Sequence, residues 1–92
     1  MRKRLVTIHN RAGIHCRPSG VILKAIQQEF PDHLFEITVD GETTEITGIL
    51  ELLSLSLHRG SEAILSVEGP DEDKAIERIG DLFEYEFDFP PR

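Results

Sequence analysis

A chain of 92 residues, 39% hydrophobic and 29% charged, has the size and composition of one globular domain, residues 1–92, with one core. Seventeen acidic against ten basic side chains leave a net charge of -7, which argues against general nucleic-acid binding, because affinity for a phosphate backbone rests on Lys and Arg. Cys16 stands alone, so no internal disulfide forms, and no apolar run has the length of a membrane span.

The expected elements follow in chain order. Leu5, Val6, Thr7 and Ile8 make a short β-branched run after a basic start and read as a strand. Asn10 to Gly13 carries turn chemistry. Pro18 suits the first turn of a helix, where its missing N–H costs nothing, and Val21, Ile22, Ala25 and Ile26 supply an apolar stripe. Phe30-Pro31-Asp32 ends that helix. Phe35, Ile37 and Val39 alternate with Glu36 and Thr38, the period of a half-buried strand. Asp40-Gly41 signals a hairpin, with Thr43 to Ile46 returning.

The Leu-rich segment from Ile49 to Leu57 reads as a helix on propensity. It is apolar on more sides than one core-facing stripe requires, so some of Ile49, Leu50 and Leu53 are expected on the surface. Ala63 to Val67 reads as a strand after Gly60. Asp71, Glu72 and Asp73 supply a cap and first-turn acids for a last helix, with Ala75, Ile76, Ile79, Leu82 and Phe83 as its core stripe. A frayed tail is expected over residues 86–92. The order βαββαβα fits an α+β fold, a four-stranded antiparallel sheet with three helices on one face.

The segment Gly13-Ile14-His15-Cys16-Arg17-Pro18 carries the chemistry. It lies between a strand and a helix, so His15 is expected at the helix N-terminus, where unpaired backbone N–H groups and the helix dipole favour an anion. The dipole contributes only about 0.3–1 kcal/mol, so a further group is required. Arg17 supplies it through charge-assisted hydrogen bonds to phosphate oxygens. The same positive end disfavours the imidazolium form of a ring that ordinarily titrates near ~6.5, leaving a neutral nucleophile.

These residues resemble the histidine-containing phosphocarrier family HPr of the phosphoenolpyruvate-dependent phosphotransferase system. The resemblance runs from the strand at Leu5 through the His15 motif, the hairpin and the Leu-rich helix to Gly69 and Asp71. It implies an open-faced β-sandwich and a cytoplasmic, monomeric carrier that needs no metal or organic cofactor. His15 matches the histidine phosphorylated at Nδ1, and Arg17 the arginine that helps bind and release the phosphoryl group. The backbone at Cys16, Arg17 and Pro18 matches the helix opening that faces the phosphate. Ile49 and Leu50, with Leu53 beside them, match the apolar docking surface. Enzyme I is the implied donor and a IIA-type domain the implied acceptor.

Some positions depart from the family pattern. Gly48 stands where many members carry a regulatory serine, with Thr47 next to it. Glu51 replaces a small or basic residue on the docking helix, and Cys16 stands where Thr, Ala or Ser is commoner. The connection around Pro31 and His33 is longer than usual. Two rival readings stay open: a docking module of the same fold without transfer, and a thiol protein using Cys16 at a helix N-terminus beside Arg17. His9, His33 and His58 lie in different elements without metal-ligand spacing and read as surface or turn residues.

Overall fold

The computed structural model describes residues 1–9, 16–55 and 57–85, and for 16–18 the backbone alone. The chain runs β1 (Arg2–Thr7), α1 (Cys16–Glu29), β2 (Leu34–Val39), β3 (Glu42–Glu45), α2 (Ile49–Ser54), β4 (Glu62–Glu68) and α3 (Glu72–Glu84). The strands form one antiparallel sheet in the order β1-β4-β2-β3. The period-2 pattern sets which face is covered. Val6, Phe35, Ile37, Ala63, Leu65 and Val67 turn inward, and the helices answer with Ile22, Ala25, Ile26, Leu52, Ala75, Ile76, Ile79 and Phe83. The other face of the sheet is left open, with Leu5 and Ile64 exposed as cross-strand partners.

The hairpin between β2 and β3 follows its dipeptide. Asp40 (φ 52°) and Gly41 (φ 84°) both take positive φ, the requirement of a two-residue loop whose twist matches the strands. Thr38 and Thr43 then face each other, with their hydroxyls 2.7 Å apart.

Several boundaries differ from the sequence expectation. β1 begins at Arg2, ahead of Leu5, because pairing with β4 extends through the basic residues. Ile8 lies past its end yet is fully buried, bonded through its backbone to Ser61 (2.9 Å) and Gly60 (2.8 Å). α1 turns Val21 outward; Ile22, Ala25 and Ile26 form its buried stripe. β3 stops at Glu45, one residue short of Ile46, which is nonetheless buried and bonded to the Phe35 carbonyl (2.9 Å). α2 ends at Ser54, where the Ser54 hydroxyl donates back to the Glu51 carbonyl (2.9 Å) and the Leu55 N–H bonds three residues back to Leu52 (3.3 Å). Leu57 reaches the core from beyond the helix.

At the head of α3, Asp71 adopts the left-handed conformation, and its side chain makes no capping bond. Its backbone carbonyl instead receives the Lys74 and Ala75 N–H groups (both 3.1 Å), and the Glu72 carboxylate accepts the Gly69 N–H (3.2 Å). Leu82 is half-buried at the margin of the core, and Gly80 takes a buried place in the stripe. The helices are tied to each other at the surface: Arg78 on α3 donates two parallel bonds (3.1 and 3.0 Å) to the Glu29 carboxylate at the end of α1. That pairing holds the Glu29 carboxyl below its ordinary range.

Candidate functional site

α1 starts at Cys16, so the chain enters the helix immediately after His15. His15 itself, the turn from Asn10 and the side chains of Cys16, Arg17 and Pro18 lie outside the described residues, as does the 86–92 tail. What the described backbone provides is a helix of 14 residues whose first turn contains no acidic residue. The amides that open it have no intrahelical partner, and no carboxylate within that turn offsets the positive end of the dipole. Pro18, third in the helix, sits where proline removes no helical hydrogen bond. Ser19 follows, fully buried, with no hydrogen-bond partner for its hydroxyl among the described residues.

The strand that leads toward His15 is secured from outside the sheet. β1 is an edge strand, and the Thr7 N–H at its end donates to Glu84 Oε2 (3.0 Å) in the last turn of α3. Glu84 Oε1 receives Arg4 from the same strand (2.9 Å). Arg4 also reaches Asp81 (3.1 Å) and donates to the Glu77 carbonyl (3.2 Å), so its side chain lies along α3. Gly80 makes room for it: a Cβ there would fall 2.5 Å from the guanidinium. Sequence reading missed this cluster. Its one local signal is an acid, Glu84, in the last helical turn, where the dipole disfavours negative charge.

α2 presents the other candidate surface. Leu50 is 76% exposed and Ile49 39%, Leu53 is half-buried, and Leu52 carries the helix's core contact at 0%. The expectation that the Leu-rich helix exposes part of its apolar surface therefore matches the described exposures. Gly48 holds the N-cap position in an extended conformation and makes no side-chain cap. Among the described residues, a Cβ on Gly48 would meet only the Glu51 carboxylate end, at 3.0 Å. The glycine is thus not demanded by its backbone.

The remaining histidines are dispersed. His9 is exposed, and His58 pairs its backbone N–H and its Nδ1 with the Ser61 hydroxyl (3.0 and 2.9 Å). His33 lies in the turn between α1 and β2, as expected of a surface or turn residue, but its ring is engaged. Its ring packs edge-on to Phe30 (centroids 5.2 Å apart), its Nε2–H donates to the Pro70 carbonyl, and its Nδ1 is buried with no partner among the described residues. The reason is a contact that local sequence does not encode, between the α1–β2 turn and the β4–α3 turn. Among the described residues no three His, Cys, Asp or Glu side chains assemble into a metal-holding group.

The chain is similar to a well-defined set of proteins. A family profile described as "PTS HPr component phosphorylation site" matches residues 2–85. The phosphocarrier protein HPr of Treponema pallidum is 34% identical over 83 residues, covering 90% of this chain and 92% of that protein. That of Lysinibacillus sphaericus is 32% identical over 82 residues, covering 89% and 91%. Among solved structures, HPr-C-His from Thermoanaerobacter tengcongensis superposes with a TM-score of 0.85 at 27% identity, over 99% of this chain and 100% of that one. The open-faced fold and the order of elements match as well.

Proposed function

The chain belongs to the HPr family of phosphotransferase-system phosphocarriers, and from that premise we propose that His15 is the residue that carries the phosphoryl group. Phosphorylated enzyme I is the donor and a IIA-type domain the acceptor. The observation that carries this reading is the junction of His15 with a helix whose first turn is free of acid, inside a match that spans residues 2–85.

The chemistry follows from that junction. His15 in its neutral form keeps its proton on Nε2 and uses the Nδ1 lone pair to attack the phosphorus of the donor's phosphohistidine. The new P–N bond forms as the donor's P–N bond breaks, and the donor imidazole leaves neutral. Onward transfer repeats the exchange with His15 as the leaving group. Such a step rests on alignment and on charge stabilisation of the moving phosphoryl oxygens. The amides of Cys16 and Arg17 at the helix opening and the Arg17 guanidinium supply that stabilisation. No step requires a metal or an organic cofactor.

Ile49 and Leu50, with Leu53 beside them, form the docking surface in this reading. Their exposure supports it, since two adjacent aliphatic side chains left in solvent gain by burial against a partner. One carrier surface serving donor and acceptor in turn fits a monomer working in the cytoplasm. No described helix is long and apolar enough to cross a membrane.

The test is incubation with phosphoenolpyruvate and the cognate enzyme I, followed by intact mass. One acid-labile phosphate is expected on the wild type and none on His15→Ala. A label that persists in His15→Ala contradicts the proposal.

A further inference from the structure

We propose that Glu84 is a positioning residue for phosphoryl transfer, bracing the strand end from which the chain runs to His15. The inference rests on the carrier reading and extends it to a group on the last helix.

Glu84 occupies an unfavourable site for an acid. It lies in the last turn of α3, which contains no basic residue, and Asp81 stands one turn before it. Helix electrostatics alone select a cation there. The carboxylate is kept by two bonds to β1, one to the Arg4 guanidinium (2.9 Å) and one to the Thr7 N–H (3.0 Å). Its side chain is only 29% exposed and Arg4's 27%, so both bonds are shielded from full solvent competition. Arg4 in turn needs the bare surface of Gly80 to lie along α3.

The brace is placed where the strand gives out. An edge strand's outward N–H groups ordinarily face water, and here the last of them is taken by a charged acceptor. One residue later Ile8 is locked on the inner side by Ser61 and Gly60. The strand end is thereby held on both sides through Thr7 and Ile8, which precede His15 in the chain. Phosphoryl transfer is sensitive to such anchoring, because a nucleophile displaced by about 1 Å loses up to about a hundredfold in rate.

Three full-length variants separate this role from simple stabilisation. Glu84→Ala removes both bonds, Glu84→Gln keeps an acceptor for Thr7, and the core truncation Ile79→Val lowers stability without touching the brace. Each is checked for native circular dichroism, then phosphorylated by phosphoenolpyruvate and cognate enzyme I with donor concentration varied. Amide exchange at Thr7 is followed in parallel.

Glu84→Ala is expected to exchange the Thr7 amide about tenfold faster and to lower the turnover rate about tenfold, with KM within about twofold because the α2 surface is intact. Glu84→Gln is expected to recover most of the turnover, and Ile79→Val to keep all of it. Turnover of Glu84→Ala equal to wild type overturns the proposal while leaving the carrier reading in place. So does a loss in Ile79→Val that matches its loss of stability, or a change confined to KM. A wild type that acquires no phosphate overturns both.

Discussion

Gly69 shows how much a single position decides. Its φ of +147° lies in territory that side chains avoid, and a Cβ would come within 2.7 Å of the His33 ring. His33 has nowhere to retreat, since Phe30 stands edge-on to it and Nε2 is engaged by Pro70. Backbone strain of about 1–3 kcal/mol and overpacking of similar size therefore act together. Gly69→Ala is expected to lower stability by about 2–4 kcal/mol in urea denaturation. The double variant Gly69→Ala, His33→Ala is expected to return the steric part and keep the backbone part. Equal stability of Gly69→Ala and wild type contradicts the packing described for this turn.

The same scale explains what the sequence hid. Gly69 and His33 are 36 positions apart, so nothing local marks them as partners. Arg4 and Glu84, separated by 80 positions, read in the chain as two more members of a basic start and an acidic end. The fold turns those two charges into a tether between strand and helix.

Among the elements, the strands and hairpin were legible because alternation and Asp40-Gly41 are local signals. α2 was legible as a helix and misjudged in length. Leu favours both helix interiors and cores, so its run continues past Ser54 to Leu57 although the helix does not. The capping of α3 was misread for a related reason. An acid before a helix predicts a side-chain cap, but Asp71 in the left-handed conformation presents its carbonyl.

Gly48 gives the element scale its own test. The residue sits at the N-cap of a helix only six residues long and offers no side-chain acceptor. Its extended φ of -165° is open to any residue, and among the described residues the only neighbour of a new Cβ is a flexible carboxylate end. Gly48→Ser is therefore expected to fold and to gain a few tenths of ~1 kcal/mol in chemical denaturation, the usual difference between serine and glycine at this position. A loss of more than about 1 kcal/mol means that Glu51 has no alternative rotamer and that the glycine is structurally required. The outcome decides whether a serine at this position is barred by the fold or merely lacking.

At the level of the whole molecule, one covered and one open sheet face leave the two candidate surfaces on the helical layer, at the opening of α1 and along α2. Those helices pack against each other, and Leu50 is exposed on the second of them. The element order was readable from the chain and the described elements follow it, and the family resemblance agrees with the match over residues 2–85. What no sequence pattern supplied is the bracing of the β1 end from α3, because it depends on a helix end and a strand end meeting in space.

The central claim is the identity of the phosphorylated atom. With the four histidines labelled with 15N, long-range proton–nitrogen spectra recorded before and after phosphorylation by enzyme I resolve each imidazole. The account predicts that one ring changes, that it is His15, and that phosphorus is attached at Nδ1. A change at His9, His33 or His58 contradicts it, as does phosphate on Cys16 with all four rings unaltered.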